Sequence, residues 1–199
     1  MYLQDDTPQS IEKSIYYLKK NCPIIAPCDT IYGFLGKVFT AQERIRDIKG
    51  RSEDKPFLII TKKDSVSQFS SQIIPQWVNN LWPCPLTVVV FSSKWYQKHH
   101  NGLKTVALRV PSDKWLQTLL EKIPFSLYST SVNRSGQPFL NDFDQIVKEF
   151  EKDVPLIVRS NGETKNQMPS TIVDLTTYPY KVLRKGALLI PQALLECTN

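Results

Sequence analysis

Apolar residues recur along the chain in two patterns, one with the spacing of a helix and one as short runs. Ile11, Ile15 and Leu18 fall on one face of a helix, and Thr7-Pro8 is a typical helix start because threonine caps and proline suits the first turn. Further helices are predicted from a capping box at Thr40-Ala41-Gln42-Glu43 to Gly50, over 112–122 and over 142–151.

The short apolar runs between these helices predict β-strands. The run over 86–91 is among the longest, and it is far below the roughly 20 residues that a helix needs to cross a membrane. Because helical and strand patterns alternate without a linker, we predict one α/β domain over 1–199, with a twisted mixed β-sheet flanked by helices. The predicted strands are 23–27, 57–61, 86–91, 106–110, 125–129, 156–158, 171–174 and 181–183.

Four stretches rich in basic and hydroxyl residues lie beside these apolar runs, and a fifth stretch over 27–33 adds small polar groups. Because each stretch adjoins a predicted strand, we expect them to project into one shared cleft. Clustered guanidinium, ammonium and hydroxyl groups are what a polyphosphate and a small carboxylate require. The four stretches are 49–56, 105–109, 129–133, and Ser170-Thr171 together with Arg184.

The composition favours a cytoplasmic protein with anionic partners. The chain has 25 Lys and Arg residues against 19 Asp and Glu residues, a net charge of +6 that suits nucleotides or RNA without choosing between them. The N-terminal segment lacks the apolar core of a signal peptide, and the four cysteines have no Cys-x-x-Cys spacing. We therefore expect reduced thiols and no association with a membrane.

Common nucleotide and metal motifs are missing from the sequence. There is no Walker A loop and no Gly-x-Gly-x-x-Gly fingerprint, so a bound nucleotide would need another kind of cradle. His99 and His100 are adjacent and diverge on regular structure, and no metal site is predicted. Cys28 lies near the polar stretches, but no histidine is close to it in sequence, so we do not expect a nucleophile there.

Seven motifs, in the same order along the chain, resemble the YrdC/TsaC family. Each motif alone would be weak evidence, but their order from about residue 11 to residue 190 is specific. The resemblance implies a YrdC-like fold with a concave basic cleft, in the single-domain form. The motifs are Asp29-Thr30-Ile31-Tyr32-Gly33, Lys-x-Arg…Lys-Pro over 49–56, Leu-Trp-Pro-Cys-Pro-Leu-Thr over 81–87, Arg109-Val110-Pro111, Ser131-Val132-Asn133-Arg134-Ser135-Gly136, Ser170-Thr171-Ile172-Val173-Asp174 and Leu183-Arg184-Lys185-Gly186.

The resemblance also implies an activity. The family makes threonylcarbamoyl-AMP and pyrophosphate from L-threonine, bicarbonate and ATP, with Mg²⁺, and is thus a nucleotidyltransferase. The product serves the formation of N6-threonylcarbamoyladenosine in tRNAs that read ANN codons. Beyond the substrates, the implied partners are tRNA or double-stranded RNA and the downstream threonylcarbamoyl-transferase complex.

The resemblance to the family divides the polar residues into contacts to ATP and contacts to L-threonine. Arg109, at the end of a predicted strand, suits the threonine carboxylate because a guanidinium binds a carboxylate through two hydrogen bonds. By resemblance, the ATP contacts are Arg51, Lys55, Thr105, Ser131 and Arg184, and the L-threonine contacts are Thr30, Arg109, Ser129 and Ser170. The catalytic residues implied in the same way are Lys49, Arg51, Ser131 and Asn133.

Two other functions are compatible with the sequence. The first is an RNA-binding module without adenylation activity, which would use the charge of +6 and bind RNA with an affinity that falls steeply with salt. The second is an enzyme that transfers a carbamoyl group from another donor. We expect the second less, because the chain lacks the accessory zinc-finger and acylphosphatase-like segments of such proteins.

Overall fold

A ten-stranded mixed sheet forms the centre of the computed structural model, which describes residues 1–5, 7–52, 55–161 and 168–196. The strands are β1 (Tyr2–Gln4), β2 (Ile24–Cys28), β3 (Ile31–Lys37), β4 (Leu58–Ile60), β5 (Leu86–Phe91), β6 (Thr105–Arg109), β7 (Leu127–Ser131), β8 (Ile157–Arg159), β9 (Thr171–Asp174) and β10 (Lys181–Arg184). Their order across the sheet is β1-β8-β2-β3-β7-β4-β6-β5-β9-β10.

Helices pack on both faces of this sheet. They are α1 (Pro8–Lys19), α2 (Gln42–Lys49), α3 (Val66–Phe69), α4 (Gln76–Leu81), α5 (Lys94–His99), α6 (Lys114–Lys122), α7 (Phe143–Phe150) and α8 (Gln192–Leu195), with a 3₁₀ turn at Lys63–Ser65 before α3. Within the described ranges, none of these helices combines the length and the apolar character needed to span a bilayer.

The helix signals in the sequence are partly confirmed. The Thr7 hydroxyl accepts a hydrogen bond from the Ser10 N–H at 3.3 Å at the start of α1, and Gly50 ends α2 in the left-handed conformation with φ 62°. The predicted capping box is wrong. The Thr40 hydroxyl donates instead to Asn21 Oδ1 at 2.7 Å, and α2 begins at Gln42 without a side-chain cap.

The predicted mixed sheet is confirmed, because β4 runs parallel to β6 and antiparallel to β7. Strands β1 and β3 were not predicted, and the strand expected over 125–129 lies two residues later, as β7. Ser131 is consequently the last residue of a strand and does not belong to the turn that follows. The polar segment over 160–169, which shows neither helical nor strand periodicity in the sequence, falls mostly on 162–167, outside the described residues.

Alternating side chains along the central strands divide the core between the two faces. Phe34 of β3 packs in a cluster with residues of α2, α3, α5 and α7, whereas Leu35 next to it packs with residues of α1 and α6. Ile59 and Ile60 of β4 divide in the same way. Because α1 and α6 cover one part of the second face, the part over Leu58 of β4, Ala107 of β6 and Ser129 of β7 is open and forms a cleft.

A single substitution tests the contact between β3 and α2. A Cβ atom at Gly36 would lie 2.6 Å from Cβ of Ala41 and 2.8 Å from Cδ1 of Ile45. Gly36→Ala should therefore lower the free energy of unfolding by about 1–3 kcal/mol, the usual cost of overpacking. Urea denaturation followed by circular dichroism measures the change.

The double variant Gly36→Ala/Ala41→Gly is the matched control, because it removes the nearest clashing atom and leaves the other contacts in place. It should recover part of the lost stability. If Gly36→Ala unfolds at the same urea concentration as the unmodified protein, the close approach of α2 to β3 is contradicted.

Candidate active site

The cleft on the second face of the sheet encloses about 270 Å³. Side-chain alternation explains why it is polar: Ala107 and Arg109 of β6 face the cleft, whereas Leu108 between them lies in the core on the first face. The lining residues are Cys28, Thr30, Ile31, Tyr32, Gly33, Arg51, Pro56, Leu58, Thr87, Ala107, Arg109, Ser129, Thr130, Ser131, Pro169, Ser170, Ile172 and Arg184.

Most of the site residues predicted from the sequence meet in this cleft. Lys49 and Asn133 do not line it, but both form hydrogen bonds with Ser131 at the end of β7. Lys55 is exposed on the neighbouring loop, and Thr105 starts β6 on the same side as Arg109 but beyond the lining residues. The predicted residues that line the cleft are Thr30, Arg51, Arg109, Ser129, Ser131, Ser170 and Arg184.

Arg109 ends β6 in the interior of the sheet, between β4 and β5, and is 3% exposed. Its Nη2 donates to the carbonyl of Cys28 at 3.4 Å, and its Nε lies 4.0 Å from Oδ2 of Asp29. The guanidinium is therefore desolvated and fixed at the edge of the cleft, where a carboxylate could bind to its remaining N–H groups.

Ser170 is held by two neighbours. Arg184 donates to the Ser170 carbonyl through Nε at 3.0 Å and Nη2 at 2.8 Å, and the hydroxyl of Thr87 lies 2.8 Å from that of Ser170. Burial and the charge of Arg109 lower the pKa of Arg184, so the two guanidinium groups act on each other across the cleft. This cluster concentrates positive charge beside paired hydroxyls.

Thr87 is a cleft residue that the sequence prediction missed. It lies in the apolar run that forms β5, directly opposite Arg109 in the β5–β6 register. A hydroxyl inside a run of apolar residues was the one feature of the sequence that could have indicated Thr87. Its position opposite Arg109, however, depends on the pairing of β5 with β6, which the local sequence pattern does not reveal.

Lys49 is 2% exposed and supports the end of β7. Its ammonium donates to the Ser131 carbonyl at 2.5 Å, to the Asn133 carbonyl at 2.8 Å and to Asn133 Oδ1 at 2.7 Å. Ser131 Oγ also donates to Asn133 Oδ1, at 2.8 Å. Burial and the charge of Arg51 lower the pKa of Lys49 to about 7. Lys49 and Asn133 thus orient Ser131 from behind the cleft.

Arg51 reaches the cleft from the loop after α2. Its Nε donates to the Lys55 carbonyl at 3.3 Å and its Nη2 to the Pro56 carbonyl at 3.0 Å. The guanidinium carbon lies 5.1 Å from the centre of the Phe57 ring. These contacts shape the loop around Arg51 and hold a positive charge at the rim of the cleft.

Gly33 leaves room at the floor of the cleft, because a Cβ atom there would lie 3.0 Å from Cys28 Sγ and 3.1 Å from Ser129 Oγ. Cys28 itself is buried, and burial raises the pKa of its thiol to about 12. Since the thiolate is the nucleophilic form of cysteine, Cys28 is not suited to nucleophilic catalysis at neutral pH.

The cleft has the charge and the donors of an anion-binding site. Arginines and hydroxyls dominate its polar lining, and no carboxylate side chain occurs among its described lining residues. No group of three or more His, Cys, Asp or Glu residues that could hold a metal ion occurs in the described part of the chain. A ligand with a carboxylate or phosphate groups and a small hydroxyl-bearing portion fits these donors.

Comparisons with known proteins agree with this geometry. Residues 16–186 match the Sua5_yciO_yrdC family, whose description is telomere recombination. A threonylcarbamoyl-AMP synthase of Pyrococcus abyssi is 29% identical over 179 residues, which cover 86% of this chain and 52% of the relative. The chain thus spans about half the length of that relative.

Two solved structures show the same fold. Pyrococcus abyssi Sua5 complexed with L-threonine matches with a TM-score of 0.84 at 27% identity, over 94% of this chain and 57% of that chain. Escherichia coli YciO matches with a TM-score of 0.80 at 27% identity, over 94% of this chain and 95% of that chain. The family and the fold predicted from the motifs are therefore confirmed, and the chain belongs to the Sua5/YciO/YrdC family.

Proposed function

We propose that this protein is an L-threonylcarbamoyladenylate synthase, which forms threonylcarbamoyl-AMP, pyrophosphate and water from L-threonine, bicarbonate and ATP. The name of the Pyrococcus abyssi relative and the Sua5 structure with L-threonine support the proposal. The observation that carries it is the convergence of guanidinium groups and hydroxyls in one cleft, namely Arg51, Arg109, Arg184, Thr30, Ser129, Ser131 and Ser170.

L-Threonine is assigned to the side of the cleft beside Arg109. Its carboxylate would bind the buried guanidinium, where a low local dielectric strengthens the contact. Thr30, Ser129 and the Thr87–Ser170 hydroxyl pair surround the same side and can bond the substrate hydroxyl. An analogue without that hydroxyl would leave buried polar groups unpaired, which gives a physical basis for selectivity.

The phosphates of ATP are assigned to the side beside Arg51 and Arg184. Negative charge develops on the phosphoryl oxygens during the transfer, so fixed cations and donors are the main requirement. Ser131 is already oriented for this task by Lys49 and Asn133. We therefore assign Lys49 and Asn133 a catalytic role that acts through the position of Ser131.

The reaction consists of two bond exchanges. The threonine ammonium group first loses a proton to bicarbonate or water, and its nitrogen then bonds to the carbon of bicarbonate, whose hydroxyl leaves as water together with a second proton from the nitrogen. An oxygen of the resulting carbamate then attacks the α-phosphorus, and the bond to the leaving pyrophosphate breaks. The cleft contributes by holding the carbamate and the α-phosphate together and by stabilising the phosphoryl charge.

The nucleoside extends beyond the cleft. About 270 Å³ lies below the roughly 300–1,000 Å³ typical of pockets for drug-sized ligands, so this volume does not enclose ATP and threonine together. Thr105 lies at the start of β6, on the same face of the sheet as Arg109, and Lys55 lies on the loop after Arg51. We assign these two residues to the outer part of the nucleotide.

Mg²⁺ is proposed to enter as the complex with ATP. This ion is usually held by one or two carboxylates together with substrate phosphates and water, and the described cleft lining offers hydroxyls but no carboxylate. Asn133 Oδ1 already accepts hydrogen bonds from Lys49 and Ser131, so of these two neighbours the Ser131 hydroxyl, which lines the cleft, would be the protein ligand. When bound, the ion neutralises charge on the phosphates.

The product is proposed to serve tRNA modification in the cytoplasm. Threonylcarbamoyl-AMP is a mixed anhydride that hydrolyses in water, so it requires a prompt acceptor. We propose that a threonylcarbamoyl-transferase complex uses it to form N6-threonylcarbamoyladenosine in tRNAs that read ANN codons. The family and the name of the relative support this role.

Pyrophosphate release tests the proposed activity. With ATP, Mg²⁺ and bicarbonate present, release should depend on added L-threonine, because the carbamate of threonine is the nucleophile. A coupled pyrophosphatase assay measures it. Release that is absent, or equal without threonine, refutes the activity; salt-sensitive RNA binding in its place would favour the RNA-binding alternative.

Arg51→Ala should reduce the rate of pyrophosphate release by about 100-fold or more, because it removes a fixed charge beside the reacting phosphate. Arg44→Ala is the matched control: it removes the same charge from the exposed face of α2, outside the cleft, and should leave the rate unchanged. Similar rates for the two variants would remove Arg51 from the site.

Arg109→Lys should raise the KM for L-threonine by about tenfold or more with a smaller effect on the KM for ATP, because lysine keeps the charge but cannot bind a carboxylate through two parallel bonds. Arg44→Lys is the control for the exchange itself. Steady-state kinetics with each substrate varied in turn measure both constants, and an unchanged KM for threonine would contradict the assignment.

A further inference from the structure

Asp29 lies behind Arg109 and is not among the residues that line the cleft. It occupies the turn between β2 and β3 with φ 60°, a left-handed conformation that few residues other than glycine, asparagine and aspartate adopt readily. The side chain of Asp29 is 2% exposed, and its Oδ2 lies 4.0 Å from Nε of Arg109. A buried carboxylate outside the cleft lining thus lies beside a guanidinium that lines the cleft.

The other carboxylate oxygen of Asp29 is anchored. Oδ1 accepts hydrogen bonds from the Asp113 N–H and, at 3.4 Å, from the Ser112 hydroxyl. These two residues follow β6 closely and lead into α6, so Asp29 ties the β2–β3 turn to the segment after Arg109. Within the described residues, neither Oδ2 of Asp29 nor Nε of Arg109 has a hydrogen-bond partner.

The two oxygens of the Asp29 carboxylate have different tasks: Oδ2 places a negative charge beside Arg109, and Oδ1 anchors the side chain. A guanidinium taken out of water is costly unless an opposite charge lies close to it, and Asp29 supplies that charge. Because Oδ1 is tied to the start of α6, Oδ2 stays beside Nε and does not reach over the terminal nitrogens. Nη2 donates one N–H to the Cys28 carbonyl, and the other terminal N–H groups remain for a ligand at the edge of the cleft.

We propose that Asp29 is a positioning residue for the substrate carboxylate: its negative charge holds the Arg109 guanidinium in the orientation that binds L-threonine. The inference rests on the proposed function and adds a residue that touches no substrate. It also gives a physical reason why an Asp-Thr turn and the strand end at Arg109 belong to one site.

Asp29→Asn separates this role from a purely structural one. Asparagine tolerates the left-handed conformation, and its amide oxygen can keep the bonds from Asp113 and Ser112, so the turn and its anchor are retained. Only the charge opposite Arg109 is removed. A structural role predicts little change from this substitution, whereas a positioning role predicts weaker binding of carboxylate ligands.

The experiment compares L-threonine with L-threoninol, which lacks the carboxylate, by isothermal titration calorimetry. Asp29→Asn should weaken binding of L-threonine by about tenfold, a change of about 1.4 kcal/mol. The affinity for L-threoninol and the melting temperature should stay close to those of the unmodified protein. In an Arg109→Lys background, Asp29→Asn should have less than about a twofold further effect, because it acts through Arg109.

Several results would overturn the proposal. They are unchanged or tighter binding of L-threonine by Asp29→Asn, equal weakening for L-threoninol, full additivity with Arg109→Lys, or loss of the fold. If the unmodified protein binds L-threonine but the affinities of the variants differ from those predicted, only the inference about Asp29 fails. If the unmodified protein binds no L-threonine, the proposed function fails with it.

Discussion

Alternation of side chains across the central strands is the constraint on which both the core and the cleft depend. In β6, Leu108 joins the core on the first face, while Ala107 and Arg109 face the cleft on the second. A shift of one residue in the pairing of β6 with β5 would bring Arg109 into the apolar core and Leu108 into the cleft. Burial of Leu108 on the first face therefore fixes the position of Arg109 on the second face. The helices α1 and α6 leave the second face open at Arg109.

A second feature of the site is that several of its positively charged side chains are buried and shielded from water. Burial and the charge of Arg109 lower the pKa of Arg184, and Lys49 is buried near Arg51. Backbone carbonyls and Asp29 offset part of this cost, as in the bonds from Arg184 to Ser170 and from Lys49 to Ser131. An anionic ligand would offset more of it. The cleft is thus organised for charge before a ligand arrives, which is the condition for electrostatic catalysis.

Sequence patterns predicted the local features well and the long-range ones poorly. The caps at Thr7 and Gly50 and most strands depend on neighbouring residues, and they lie close to their predicted positions. Strand β3 was missed because buried residues occupy both of its faces and Gly33 interrupts it, so neither alternation nor a long apolar run marks it. The order of the motifs indicated most residues that line the cleft, but the supporting contacts of Lys49 depend on the turn after β7, far away in sequence.

The central claim is that one cleft brings the carbamate of L-threonine to the α-phosphate of ATP. Mass spectrometry of the products formed from ¹³C-bicarbonate, ATP, Mg²⁺ and L-threonine tests it most directly, because the label follows the bond that the claim requires. The account predicts threonylcarbamoyl-AMP that carries the ¹³C label in its carbamoyl carbon and appears in step with pyrophosphate. Pyrophosphate without a labelled adenylate, or an adenylate without the label, would contradict it.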